Sequence, residues 1–221
     1  MDYLGDEIDG VVAELESAGL HTTPAQRESF RTYLQRIREW SARVNLVSAR
    51  DLSRLGRRHL LESFNVLHRP LPIAGARLVD VGSGGGFPAI PLAIWQPDLE
   101  LLLVESIRKK AQFLSSVANS LELGDRVEVI CGRAEEVGHA EARMERYDLA
   151  TARGLGPLRQ SVGWVAPFLR RGGQFIAFKG TSVEAEIVAA MGPMNRAGMR
   201  LIDVFPLRWG RGNLVLMQRD G

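Results

Sequence analysis

The residues with the clearest chemical potential run from Asp80 to Gly86. There an acidic side chain precedes glycines at 82, 84, 85 and 86 in Asp-Val-Gly-Ser-Gly-Gly-Gly. Glycines so placed turn the chain sharply and let a ligand touch main-chain atoms. The apolar run Leu78-Val79-Asp80-Val81 before them suits a buried strand. Pro88 after them suits the first turn of a helix. The stretch from Arg77 to Leu92 therefore reads as strand, glycine turn and helix start, with unpaired N–H groups facing the turn. Glu105 ends a second apolar run a little over twenty residues beyond Gly82. An acid at that place accepts hydrogen bonds from both hydroxyls of a ribose. Arg153 and Lys179 end the fourth and fifth apolar runs. Strand ends of that kind line the ligand crevice of an open α/β sheet. No Ser/His/Asp set, paired carboxylates or metal cluster stands out, and His59 beside Arg58 reads as a surface or packing residue.

Three ligands use such a turn. A P-loop requires Lys-Ser/Thr after its last glycine, and none follows here. A dinucleotide site takes G-x-G-x-x-G/A; Gly82 and Gly84 fit, but the third position is Phe87, too bulky for close helix–strand contact. The third is S-adenosylmethionine (SAM), which has no phosphate to cradle. Its loop follows an acidic residue, here Asp80, and passes beneath the methionine moiety. Asp-x-Gly-x-Gly-x-Gly at 80–86 resembles the first motif of class I methyltransferases. In such enzymes the loop after the third strand closes on the adenine, which falls here on Ala134 and Glu135. Arg153 stands in Ala152-Arg153-Gly154, where DNA amino-methyltransferases often carry Asn/Asp-Pro-Pro-Tyr/Phe. Its guanidinium opposes an amine-activation site and suits a phosphate or a guanine edge.

These residues need a scaffold. Strands are expected at Arg77–Val81, Glu100–Glu105, Arg126–Cys131, Tyr147–Ala152 and Gln174–Lys179. Helices are expected between them at Pro88–Trp95, Ile107–Leu121, Leu158–Leu169 and Val183–Met194. That alternation predicts a parallel sheet with helices on both faces. Met199–Leu207 and Asn213–Arg219, joined by Arg-Trp-Gly-Arg-Gly, predict a terminal antiparallel hairpin. The fold class is thus α/β, a Rossmann-like class I methyltransferase sheet with a C-terminal hairpin over 76–221 and an N-terminal helical extension over 1–75. Within the extension, residues 2 to about 75 read as helical. Leu4, Ile8, Val11, Val12 and Leu15 form one periodic face, Thr22 or Thr23 with Pro24 starts a second helix, and a third starts near Ser48–Leu52. Arginines outnumber acids from Arg27 to Arg69, which suits contact with an RNA backbone.

Composition bounds the rest. The 221 residues suffice for a proper core, and 45% hydrophobic with 24% charged residues is ordinary for a globular protein. The longest apolar run falls short of a membrane span, and the acidic start MDYLGDEIDG lacks a signal-peptide pattern, so a cytoplasmic protein without a membrane partner is expected. Cys131 stands alone, which excludes an intramolecular disulfide and a zinc cluster.

The whole set resembles the RsmG family, also called GidB. The resemblance rests on Asn45-Leu46, Arg58-His59-Leu60-Leu61-Glu62-Ser63, Asp80 to Ala93, Glu105-Ser106 with Arg108-Lys109-Lys110, Arg133 to Glu136, Ala152-Arg153 and Lys179-Gly180. Val47 and Glu62 stand where family members often carry Thr and Asp. The resemblance implies methyl transfer from SAM to N7 of a guanine in the 530 loop of 16S rRNA, with S-adenosylhomocysteine (SAH) as product and no metal. The substrate would be rRNA in the 30S subunit or an assembly intermediate, and the enzyme a monomer. Cofactor contacts are expected at Asp80, Gly82, Gly84, Phe87, Glu105, Ala134, Glu135 and Arg153, with Arg153 and Lys179 positioning the substrate. No general base is expected, because N7 carries no proton to remove. Two other readings stand beside it: a methyltransferase of a small molecule or protein, which would carry an enclosing lid, and a non-catalytic nucleotide-binding module, which would show a damaged glycine loop.

Overall fold

The computed structural model describes residues 3–68, 71 and 73–221; Arg69 of the arginine-rich stretch lies outside the described residues. Among them, one sheet holds seven strands: β1 (Arg77–Val81), β2 (Glu100–Glu105), β3 (Val127–Cys131), β4 (Tyr147–Arg153), β5 (Leu169–Lys179), β6 (Met199–Pro206) and β7 (Asn213–Arg219). Their order is β3-β2-β1-β4-β5-β7-β6. The first five strands run parallel, and β7 inserts antiparallel between β5 and β6. The parallel sheet and the terminal hairpin are as the alternation predicts. Strand order reverses between β1 and β4, which opens a crevice at the strand C-termini where ligands bind in such sheets.

Side chains alternate across each strand, and here both faces are covered. Leu78, Leu101, Leu103, Leu149, Ile176, Leu214 and Leu216 point into one core. Val79, Val81, Leu102, Val104, Ala150, Phe175, Val215 and Met217 point into the other. Helices α1 (Tyr3–Ser17), α2 (Pro24–Ser41), α4 (Ala89–Trp95) and α5 (Arg108–Ser120) cover the first face. Helices α7 (Leu158–Val165) and α8 (Glu184–Arg196) cover the second. Two short helices, α3 (Leu61–Ser63) and α6 (Ala134–Val137), sit near the strand ends that form the crevice.

The N-terminal helices share the core of the sheet. Phe30, Tyr33, Leu34 and Ile37 of α2 are fully buried in the same cluster as Leu78 and Ile90. Each such side chain contributes about 1.5–3 kcal/mol of burial. The start of α2 is a capping box: Thr23 accepts from Gln26 N–H, the Gln26 side chain accepts from Thr23 N–H, and Pro24 opens the helix. Gln26 also donates to the Trp95 carbonyl at 2.8 Å, which fixes α2 to the end of α4.

The third N-terminal helix differs from expectation. A 3-10 turn at Ala49–Arg54 leads into a π turn at Gly56–Leu60, closed by Leu61 N–H on the Gly56 carbonyl, and only then into α3. A Cβ on Gly56 would stand 2.7 Å from Glu7 Cγ, and Gly56 N–H donates to Glu7 Oε1 at 2.8 Å. Close approach to α1 thus demands a glycine that a regular helix disfavours. The helical reading also fails at Leu71 and Ile73–Ala76, which lie outside any helix; a proline at 72 disfavours helical backbone at Leu71.

Candidate cofactor and substrate site

The glycine loop is built on left-handed backbone. Gly82, Gly84 and Gly86 have φ of +72°, +54° and +92°. A Cβ on Gly86 would stand 2.7 Å from Ile90 Cγ1, so a side chain there is barred by space as well as by backbone. The loop is pinned from β2: Gly82 N–H donates to the Val104 carbonyl at 2.8 Å, and Gly84 N–H to Glu105 Oε2 at 2.8 Å. Glu105 Oε1 accepts from Ile107 N–H at 2.8 Å. Glu105 therefore braces the loop and the start of α5. Each carboxylate oxygen keeps a second lone pair, so it retains capacity for ribose hydroxyls.

Asp80 lies beneath the loop, buried. Its Oδ1 accepts from the Thr151 hydroxyl at 2.6 Å, whereas its Oδ2 is buried with no partner among the described residues. Burial pushes this carboxyl up to about 7, against the hydrogen bond from Thr151; the Ser83 hydroxyl donates to the Asp80 main-chain carbonyl. An unpartnered buried carboxylate oxygen calls for a donor, and a cationic one restores ionisation. The ammonium group of SAM's methionine end is such a donor, so Asp80, the glycine cradle and Glu105 fit the cofactor that the motif predicts.

Leu155 bears on the same place. A Cβ on Gly82 would stand 2.5 Å from Leu155 Cδ1. Above the loop remains a cleft of about 80 Å³, lined by Gly82, Val104, Arg133, Ala134, Glu135 and Leu155. That equals about three water volumes. Leu155 stands between Gly154 and Gly156, whose φ of +70° and +99° give the segment two swivels. Lys179 bridges this segment: its Nζ donates to the Gly156 carbonyl and to Glu186 Oε1, both at 2.6 Å. The ammonium is thus engaged within the β4–α7 connection, alongside Leu158 N–H, which donates to the same Glu186 oxygen.

Arg153 gathers residues from the N-terminal segment at the rim. Its Nη2 donates to Glu62 Oε2 at 2.5 Å and to the Arg58 carbonyl at 3.3 Å, and its guanidinium lies 5.8 Å from the Phe178 ring centroid. Arg58 pairs with the other Glu62 oxygen. Arg153 Nη1 is buried with no hydrogen-bond partner among the described residues. Burial pushes the Glu62 carboxyl up, opposed by Arg153 and Arg58. His59 stacks on Phe87, ring centroids 5.1 Å apart at 28°, with Nε2 3.6 Å from Asp51 Oδ2. Burial, then the charge of Arg153, drives His59 down to about 3, so the ring is neutral at working pH.

The structure thus brings together Asp80, Gly82, Gly84, Phe87 and Glu105 at the loop, with Ala134 and Glu135 across the cleft and Arg153 on the rim. His59 and Glu62 belong there too. His59 packs there, one of the two alternatives its sequence setting offers, and the Arg58–Ser63 run carries both residues. The arginine-rich face divides. Arg27, Arg31, Arg36, Arg38, Arg54 and Arg58 form ion pairs with Glu16, Glu28, Glu39, Glu7, Asp51 and Glu62 respectively. Arg43, Arg50 and Arg57 form no ion pair among the described residues. No group of His, Cys, Asp and Glu there is placed to hold a metal ion, and no helix is long and apolar enough to cross a membrane.

Among solved structures, a putative O-methyltransferase from Klebsiella pneumoniae superposes with a TM-score of 0.63 at 16% identity, covering 96% of this chain and 97% of that one. Aeropyrum pernix fibrillarin, solved with natively bound SAM, superposes with a TM-score of 0.53 at 22% identity over 67% of this chain and 68% of its own. These establish the class I SAM-dependent methyltransferase fold. Proteins named ribosomal RNA small subunit methyltransferase G lie nearer in sequence. That of Symbiobacterium thermophilum is 36% identical over 214 residues, 93% of this chain and 87% of its own. That of Chloroflexus aggregans is 43% identical over 180 residues, 81% of this chain and 75% of its own. Residues 26–205 match the family model described as rRNA small subunit methyltransferase G (GidB), and the chain belongs to that family.

Proposed function

We propose that this protein transfers the methyl group of SAM to N7 of a guanine in the 530 loop of 16S rRNA. The substrate is the small subunit or an assembly intermediate, and the enzyme acts as a cytoplasmic monomer. The family supports an rRNA substrate. One observation of the site carries the choice of atom: among the described residues, the rim offers no proton acceptor in the working range. His59 is held down to about 3, Glu62 is bound by two guanidiniums, and Asp80 is buried below the loop. Guanine N7 is a lone-pair nucleophile open in the major groove and needs no deprotonation.

SAM supplies an electrophilic methyl group on a sulfonium. The chain's part is alignment and exclusion of water. Asp80, Gly82, Gly84 and Glu105 hold the amino-acid and ribose ends, Ala134 and Glu135 meet the adenine through backbone, and Phe87 packs at the loop's edge. Arg153, oriented by Glu62 and the Arg58 carbonyl, keeps one unpaired Nη for O6 or a phosphate. The purine becomes cationic as it is methylated, so Arg153 stands away from N7 itself. Lys179 acts through the 154–158 segment, and residues 1–75 present the RNA-facing surface.

The test incubates the protein with methyl-labelled SAM and 30S subunits and maps the labelled base. One label at N7 of a single guanine is expected. Label on an exocyclic amine, a ribose hydroxyl or only on small molecules overturns the reading.

A further inference from the structure

We propose that the cleft between α2 and α5 binds an unpaired nucleotide of the RNA substrate, its base against Trp40 and its phosphates on Arg43 and Lys109. The inference rests on the RNA-methylating reading above and adds a second place of contact, outside the methyl-transfer rim.

The cleft has a volume of about 440 Å³, within the roughly 300–1,000 Å³ of small-molecule sites. Trp40, Arg43 and Val44 form one wall, and Lys109 and Gln112 form the other. Trp40 is half-buried, and its ring is set edge-on against Phe113 with centroids 5.6 Å apart. The ring is thus held in a fixed pose while part of it stays open. Charge is sorted by sign. Glu39 is the acid lining the cleft, and it is engaged by Arg36 at 2.9 Å and by Gln35 Nε2 at 3.0 Å. Arg43 and Lys109 are exposed and form no ion pair among the described residues. A half-open aromatic ring between two free cations is the arrangement that holds single-stranded nucleic acid, by stacking and by phosphate contact.

The first turn of α5 supplies an independent sign. It carries Arg108, Lys109 and Lys110 and no acid, with Ile107 as an N-cap that makes no side-chain hydrogen bond. Cations at a helix N-terminus oppose the helix dipole, so this turn breaks the local rule for helix stability. The negative charge this helix end favours is supplied by Glu105, which accepts from Ile107 N–H at 2.8 Å, so the three cations themselves do nothing to hold the turn. Position agrees. Lys109 follows Glu105 by four residues, so the two Cα atoms stand within about 15 Å. On the α2 side, the chain after Val44 returns to the glycine loop: a Cβ on Gly85 would meet the Leu46 carbonyl at 3.5 Å and Ile37 Cδ1 at 3.4 Å. One strand of RNA can therefore occupy the cleft and present a neighbouring base at the rim.

The experiment uses the full chain. With SAH bound it measures affinity for a mixed-sequence single-stranded RNA of twelve nucleotides across salt concentrations; with SAM in place of SAH it measures single-turnover methyl transfer to 30S subunits. Trp40→Leu is expected to weaken RNA binding about 5- to 150-fold and to remove most of the RNA-dependent quenching of tryptophan emission. Arg43→Gln with Lys109→Gln, an exposed pair that leaves the core untouched, is expected to lower the salt slope by about 1.4. SAH affinity stays within twofold in both. If wild type methylates 30S subunits while both variants keep its RNA affinity and salt slope, the cleft is no nucleotide site. If wild type labels no small-subunit RNA at all, the parent reading falls instead. Affinity of the cleft for acidic ribosomal proteins, with none for RNA, overturns the proposal in favour of a protein contact.

Discussion

Replacing Asp80 with Asn should stabilise the fold above pH 7 and impair cofactor binding. An exposed aspartate titrates near 3.9, and burial holds Asp80 at about 7. Below about pH 4 the acid is protonated in both states and costs nothing. Between about pH 4 and 7 the unfolded chain releases a proton that the folded chain keeps. Stability therefore falls as pH rises through that window and levels off above it. About three pKa units at 1.36 kcal/mol each give a loss of up to about 4 kcal/mol. Asn keeps an acceptor for the Thr151 hydroxyl and cannot ionise. Urea unfolding of the two proteins should agree near pH 4 and diverge by up to about 4 kcal/mol by pH 8, with Asn the more stable, or roughly 8–16 °C in Tm for a chain of this size. Binding gives the complementary readout. An ammonium group on Oδ2 restores ionisation, so SAH binding at pH 6 should release close to one proton from wild type, about 0.9, and none from the variant. Calorimetry in two buffers of different ionisation heat measures this. Parallel stability curves with no proton release would show that Asp80 is ionised throughout and that the buried-acid argument is wrong.

Three further outcomes are expected. With saturating SAM and RNA, the single-turnover rate should show no rising limb between roughly pH 6 and 8, in wild type and in His59→Ala alike; a tenfold rise per pH unit that one substitution abolishes would mean a proton is removed from the substrate. Leu155→Ala should tighten SAH by about tenfold, because an occupied cleft taxes the apparent affinity; weaker binding in isothermal titration would make Leu155 a contact of the cofactor. Glu62→Ala should lower stability by about 3–5 kcal/mol, since it strands the buried Arg153 beside Arg58; a Tm shift under about 4 °C would show that solvent already screens the trio.

The sheet was legible because parallel strands buried on both faces read as unbroken apolar runs, as Leu101–Val104 do. The hairpin was legible from the Gly-containing link at 208–212. Less was readable where tertiary contact overrides local preference. Arg170-Arg171-Gly172-Gly173 has poor strand propensity, yet β5 runs through it because Tyr147 pairs with Leu169 and Leu149 with Gln174. Of the candidate site, the loop glycines, Asp80 and Glu105 were readable, since backbone geometry demands those residue types in that order. The partners of Arg153 were not. Glu62 lies 91 positions away in sequence, and no local pattern announces that a π turn will aim it at β4. Charge counting along the arginine face does not show which cations are paired: Glu7, Glu16 and Glu39 engage Arg38, Arg27 and Arg36, and those acids come from places the local count does not single out.

The hydroxyl of Tyr33 donates to the Gly85 carbonyl at 2.6 Å, wholly buried. Burial holds that phenol well above its ordinary range, so the link persists at every pH the protein meets. Tyr33 and Trp40 ride on the same helix, two turns apart. On the proposed RNA reading, a nucleotide held at Trp40 and a cofactor on the glycine loop would therefore bear on one and the same helix. Thermodynamic reciprocity then binds the two ligands: whatever factor one adds to the other's affinity is returned in full.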